Sequence, residues 1–481
     1  MKNLRIEVIS KYVGFALLLM SGFMLVSAAV SAFNGFDEGF WPLVYSGILA
    51  GIIGVFPRIF VSGKYKLSRE EGYYIVAGAW FSCSVLGMLP YLMYGKCFTV
   101  TNALFETISG LTTTGASILN DIEALPKGLL FWRMSTAWIG GVGIIALFSL
   151  LLPSSGGNGA TLTGVEMSSI ALGATRIKPQ SFAKITVTTY IVLTLSSCFL
   201  LKISGLSWFD ATTHAMSACS TCGFSTKNSS IAAFDNPLVE AILIVSMLLA
   251  SVRFVLLSNA FSSRSLKPLY RSEVTRFFFG AFIAGTIFLT LELIRRAGMP
   301  FMQSLRLSAF QTASIFTTTG FATDDTTLWP ASCKFLIVMG SLVCGCSGST
   351  SGGIKMDRAI LCIKCLRQRI KELRSPNMVS QIKLDNITVP TKKANEALIF
   401  IMCYTIIIFV GAIGIVMSGT DITTAWTAAI ACMGNVGPGM GSIGSMDNYS
   451  HLPIIAKYIS MILMIVGRLE IFPILYVLRI K

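Results

Sequence analysis

The sequence predicts an all-α membrane protein of ten transmembrane spans and four re-entrant pore loops, built as pseudo-fourfold span–short helix–span repeats around one pore. Three observations carry this. The 481 residues are 53% hydrophobic and 13% charged, where a soluble domain is about a quarter charged. Apolar runs of spanning length, about 20 residues, recur and are continuous rather than alternating, which favours helices over a barrel. One pattern also occurs four times, as Thr112–Ala116, Ser220–Phe224, Thr317–Phe321 and Gly434–Pro438. Its glycines, Gly115, Gly223, Gly320 and Gly437, lie 108, 97 and 117 residues apart.

The first element follows Lys2, Arg5 and Lys11 as an apolar run over 12–33. It resembles a secretory leader, but the run exceeds a leader's apolar core and more spans follow, so it reads as a retained helix. With 41–62 it forms an N-terminal pair, residues 1–70, joined by a link carrying Asp37 and Glu38. The repeats then occupy 71–180, 181–273, 274–392 and 393–481. In the first, a span over 72–95 leads to a short helix at 100–112, a hairpin at 113–118 and a span over 129–151. The other short helices are expected at 207–219, 303–315 and 422–433, with Thr99 or Thr101, Ser207 and Asp421 as N-terminal caps. Each is too brief to cross a bilayer. Irregular backbone after it is tolerated at membrane depth only where it lines water or packs in protein.

Charge placement sets the orientation. If the N-terminus is inside, the cytoplasmic links are 1–11, 57–69, 152–184, 258–276, 357–393 and the C-terminal tail, and they hold 25 of the 38 Lys and Arg residues. The outer links hold eight, near Asp121, Glu123, Asp235, Asp324, Asp325 and Asp447. That is the positive-inside pattern, so the net charge of +15 reflects topology rather than nucleic acid. The 357–393 link is basic enough to meet anionic membrane lipids or a cytosolic partner.

Glycine permits the backbone that aims carbonyls inward, and a ring of carbonyls replaces a cation's water shell. The candidate ion-binding residues are Thr113, Thr114 and Gly115; Thr221, Cys222 and Gly223; Thr318, Thr319 and Gly320; and Asn435, Val436 and Gly437, with flanking hydroxyls as further hard ligands. Plain helix packing explains Gly140, Gly141 and Gly143 better than it explains a fourfold context. The fourth hairpin has fewer hydroxyls, which predicts looser selectivity than in a symmetric channel. A second stretch, 345–353, is dense in Gly and Ser and should break its helix. Gly345, Gly348, Ser349, Thr350, Gly352 and Gly353 are candidate gate residues, and the stretch lacks the Walker phosphate-loop form. The third feature is Arg468, inside an apolar run. It could limit flux from the conduction path, pair with Glu470 or snorkel. Snorkelling is the default for Arg133, Arg253 and Arg306. Glu106, His214, Gln311 and Ala428, each nine before a glycine, either brace the hairpins or pack ordinarily, and Asp210 is equally open. No metal or nucleophile constellation suggests an enzyme: His214 and His451 lie far apart, and Cys219/Cys222 and Cys362/Cys365 each offer half a zinc site. A scaffold would not need four glycine hairpins.

The filters TTTGAS, STCGFST, TTTGFAT and NVGPGMG, the GCSGSTSGGIK loop and the GRLEIFP segment resemble the TrkH/KtrB/HKT potassium transporter superfamily. The extra N-terminal pair resembles its TrkH branch. The resemblance implies gated K+ uptake across a bacterial inner membrane, with ion-coupled symport as the alternative, and no organic cofactor. It implies that the four glycines are the filter, that 345–353 is an intramembrane gate and that Arg468 faces the pore. It also implies a homodimer working with a cytosolic nucleotide-binding subunit of TrkA type. The chain departs from the family pattern at Cys222.

Overall fold

A computed structural model describes residues 4–61, 67–143, 179–375, 381–385 and 387–478. Among these, six helices are long and apolar enough to cross a membrane: Ile6–Phe33, Phe40–Phe60, Glu70–Tyr94, Ser181–Ile203, Glu273–Ala297 and Thr391–Met417. Their outer faces expose large apolar side chains at helical spacing, as with Leu195, Phe199 and Ile203.

The N-terminal pair packs on the first of the four units that follow it. Its helices meet at two glycines: a Cβ on Gly14 would sit 2.5 Å from the Gly54 carbonyl oxygen, the small-residue contact that lets helices touch backbone to backbone. At the start of the third helix, Ser68 and Glu71 form a reciprocal capping box. Arg5 locks onto the same Glu71 at 2.8 Å.

Four units follow. Each has a long first helix, a short second helix, an extended segment and a third helix. The short helices are Val100–Leu111, Trp208–Ser220, Phe301–Phe316 and Ile422–Gly434, within two residues of the expected bounds. Thr99, Ser207 and Asp421 accept the backbone N–H three residues on. The third unit begins instead at Pro300 with no side-chain cap.

The third helices depart from expectation. Only the third unit was expected to break here, yet none of the four is a long straight span among the described residues. They end at Val142, Ala250, Gly340 and Arg468. Pro237–Ala250 and Phe254–Ser262 meet at a 106° bend. Ile454–Arg468 gives way at Glu470 and Ile471, both with positive φ, before Phe472–Leu478. The physical reason is close packing: three of these helices stop where they meet the end of a short helix, Gly140 at Leu111, Gly340 at Phe316 and Gly467 at Met433. A Cβ on Gly467, for instance, would strike the Met433 carbonyl, and one on Gly140 the Leu111 carbonyl. The far end of the expected 129–151 span and most of the 152–184 link lie outside the described residues.

Among the described residues the regular structure is helical but for two pairs of two-residue strands. Val343–Cys344 pairs in parallel with Ile354–Lys355, and Lys383–Leu384 pairs antiparallel with Ile387–Thr388. The first pair closes the 345–353 stretch, where the sequence predicts a helix break, into a loop with a fixed base.

Candidate functional site

Each short helix ends the same way. The residue two before the glycine is left-handed although it is not glycine: Thr113, Thr221, Thr318 and Asn435 have φ of 54°, 55°, 59° and 54°. The next N–H reaches back to close the helix, from Thr114 to Ser109, Cys222 to Ser217, Thr319 to Ser314 and Val436 to Ala431, at 2.8–3.0 Å. This is a Schellman-type stop. It satisfies the helix's last carbonyls internally and throws the following peptides clear. The glycines then take φ of 79°, 83°, 83° and 93°.

The four segments close into a ring. A Cβ on Gly115 would overlap the Cys222 carbonyl oxygen, one on Gly223 that of Thr319, and one on Gly320 that of Val436. One on Gly437 would lie 2.5 Å from the Thr114 carbonyl oxygen. Unit one thus faces two, two faces three, three faces four, and four returns to one. Glycine is required twice over at each place, for positive φ and for the absence of a side chain. Among the described residues, the carbonyls of Thr114, Cys222, Thr319 and Val436 accept no hydrogen bond. Their side chains turn into the protein: Cys222 packs with Met134, Ala137, Met216 and Phe224, and Val436 with Ile315 and Met440. The placing of the four carbonyl oxygens is thus a matter of backbone, the same whether the residue is Thr, Cys or Val.

The hydroxyls are largely engaged. Thr114 Oγ1 meets Thr112 Oγ1 at 2.8 Å and accepts from Asn435 Nδ2 at 3.1 Å, while Thr319 Oγ1 meets Thr317 Oγ1 at 2.7 Å. Thr221 Oγ1 donates to the Ser220 carbonyl, and Thr318 Oγ1 accepts from Gly352 N–H at 3.0 Å.

Cavities of about 70 Å3 lie on either side of the ring. One is lined by all four glycines, Ser117, Lys227 and Asp447. The other is lined by Gly348, Ser349, Ser351, Gly352, Gly353 and Arg468, so the Gly/Ser-rich stretch and the arginine singled out from the sequence share one space. Arg468 donates to Thr113 Oγ1 (3.2 Å), the Thr350 carbonyl (2.8 Å) and the carbonyls of Gly140 and Gly141 (2.5 and 2.7 Å). It therefore joins the first glycine segment, the loop and the end of helix Lys127–Val142. The loop reaches the other units. Thr350 Oγ1 donates toward Cys219 and Ala250, Ser351 Oγ donates to Thr317 and Gly345 N–H to Phe316. Gly352 passes so close to the fourth short helix that a Cβ would sit 2.6 Å from the Gly434 carbonyl. Ser349 bonds within the loop to Cys346, Gly348 accepts from Phe254 N–H, and Gly353 turns at φ 67°.

A family model described as a cation transport protein, TrkH, matches residues 47–481. The chain belongs to the TrkH family. It is 32% identical over 473 residues to the Trk system potassium uptake proteins TrkH of Halomonas elongata and of Escherichia coli K12, covering 97% of each chain. The crystal structure of the potassium transporter TrkH from Vibrio parahaemolyticus superposes with a TM-score of 0.88 at 29% identity over 98% of both chains. Membership makes this a cation transport protein and not an enzyme, and with its several apolar helices a multi-pass membrane protein.

Within this chain the arginines expected to snorkel are paired instead. Arg133 is 1% exposed, donates to Glu106 at 2.6 Å and to the Ser225 carbonyl at 2.9 Å, and stacks 3.5 Å from the Phe224 ring. Arg253 bridges Asp357 (2.9 Å), Asp385 (3.4 Å) and the Ser347 carbonyl of the loop. Arg306 pairs with Glu240 at 2.7 Å. Buried charge requires a partner, and complementary charges in neighbouring apolar helices were the available signal. Arg468 does not pair with Glu470, which holds Lys355 (3.0 Å) and Arg358 (2.6 Å) at the loop's exit. Of the polar row, Glu106 and His214 do the same job: each bonds the serine two past its glycine, Ser117 at 3.1 Å and Ser225 at 2.9 Å. Asp210 bonds Thr226 at 2.8 Å. Tyr449 and the Asp357–Asp385 cluster had no sequence signal.

Proposed function

We propose that this chain carries K+ into a bacterium across the inner membrane, through the ring of Thr114, Cys222, Thr319 and Val436 carbonyls and the glycines beside them. The observation that carries the reading is the cyclic closure of four glycines on four backbone oxygens. A neutral ring of free carbonyls substitutes for water around a monovalent cation. The long TrkH relatives named for potassium uptake support the choice of ion. In this reading the six long helices, the bent pair and the three other interrupted third helices make ten spans, with the short helices as re-entrant elements. Loop 345–353 and Arg468 form the gate: the loop occludes and the guanidinium repels. A homodimer and a cytosolic nucleotide-binding partner of TrkA type belong to the same proposal, which the Trk system names of the relatives support.

Symport with H+ or Na+ needs a carboxylate free to cycle. Glu106 is committed to Arg133, Ser117 and the Ile118 N–H, which favours passive gated movement. The test is rubidium uptake into liposomes holding the purified chain alone. Uptake driven by a K+ gradient and membrane potential, and resisting competing sodium, is expected. Uptake that strictly needs an H+ or Na+ gradient would overturn the passive reading, and none at all would overturn the filter.

A further inference from the structure

Three of the four glycine carbonyls are left alone and one is not. Among the described residues no hydrogen bond reaches the carbonyl of Gly115, Gly223 or Gly320. The Gly437 carbonyl accepts the hydroxyl of Tyr449 at 2.7 Å. Tyr449 is 2% exposed and well held. Its N–H donates to the Ser117 carbonyl at 2.8 Å, and its ring lies 5.5 Å from that of Phe105. Both contacts belong to the first unit, so the residue spans the seam where the ring closes. The Cys432 thiol lies 3.9 Å from its oxygen. Tyr449 and the four glycines line the same cavity.

We infer that Tyr449 is a specificity-determining positioning residue of the filter, setting how strongly the glycine layer holds a cation. An oxygen that already accepts a hydrogen bond has part of its negative potential compensated. The layer therefore offers a cation three free carbonyls and one weakened one. The next layer, of Thr114, Cys222, Thr319 and Val436, offers four. Fewer free carbonyls replace less of the water shell, so an ion sits more loosely beside Gly437 than one layer further in. Conduction needs sites that bind well enough to admit an ion and weakly enough to release it, and this asymmetry supplies the second condition. A spare acceptor would be costly to leave buried, but this one faces a cavity.

The inference rests on the filter reading, and the two fail differently. The experiment is rubidium uptake by the full chain in liposomes, comparing wild type with Tyr449→Phe and titrating sodium as competitor. The phenylalanine keeps the ring on Phe105 and removes only the donor. The expected result is a KM for rubidium lowered by roughly threefold to tenfold, the factor that one hydrogen bond's net worth sets, with a reduced maximal rate and altered sodium competition. A residue that only props the fold would lower the rate and leave KM and sodium competition unchanged, and that outcome overturns the proposal. If Tyr449→Phe does not insert, Tyr449→Met removes the donor in another way and is judged by the same two quantities. Wild-type protein that takes up no rubidium overturns the filter itself.

Discussion

On the glycine side of the axis, four backbone segments with left-handed residues at φ of 54–59° and glycines at 79–93° meet as near equals. One layer away, a single loop from the third unit and a single arginine from the fourth fill the space, with no counterpart among the described residues of the first two. Main-chain oxygens line the first region, and a charged side chain clamps the second. The contrast follows from the tasks proposed for them. A spherical ion is best held by equivalent ligands on all sides, which repeats supply cheaply. A barrier has only to block, so one asymmetric element is enough.

The sharpest way to break this comparison is at the ring. Gly223→Ala puts a Cβ onto the Thr319 carbonyl at a φ of 83°. Strain of about 1–3 kcal/mol precedes any clash, and rubidium uptake should fall by about a hundredfold or more. Wild-type uptake would show that the ring is not closed in this way. Next comes the brace. Glu106→Gln leaves the Arg133 charge buried without its partner, which costs about 3–5 kcal/mol. Thermal unfolding in detergent should register this as a large loss, whereas a surface pair would register almost none.

The asymmetric layer should answer in the opposite direction. Arg468→Ala removes a fixed positive charge and the clamp on Thr350 together, and uptake should rise by about tenfold, the rate equivalent of roughly 1.4 kcal/mol. Arg468→Lys, which keeps the charge but cannot fork across Gly140, Gly141 and Thr350, separates repulsion from clamping. Unchanged or lower flux in both variants would remove the barrier role.

The smallest effect lies at a cap of the fourth unit. Hydrogen bonds from Thr424 hold the Asp421 carboxyl below its usual range. Because the folded form is the better acid, the cap's support is present at neutral pH and lost as pH falls through the folded value, below 3.8. Asp421→Ala should cost about 1 kcal/mol at pH 7 and little in acid, read by unfolding across that range. Equal cost at both pH values would mean that the cap acts through shape and not charge.

Much of this was legible in one dimension. Glycine and Thr at repeated spacing mark a backbone that must turn left, and caps such as Thr99, Ser207 and Asp421 mark helix starts, because both are properties of a few adjacent residues. Hydropathy and basic links likewise report on short windows. The interrupted third helices escaped notice because their stops are set by other helices, as Gly467 meets the Met433 carbonyl and Gly140 that of Leu111. Arg133 and Arg253 were misread as snorkelling because their partners lie 27 and 104 residues away. Arg468 and Thr113 are 355 residues apart.

The amino-acid order alone determined that this is a fourfold-repeated helical membrane chain with glycine at four points of close approach. Tertiary structure decided the cyclic sequence of the units, which carbonyls are free, which charges are spent on each other and which residue closes the seam. Local conformation depends on neighbours along the chain. Hydrogen bonds and ion pairs depend on distances of about 3 Å, and only the packed bundle brings residues from opposite ends of the sequence that near.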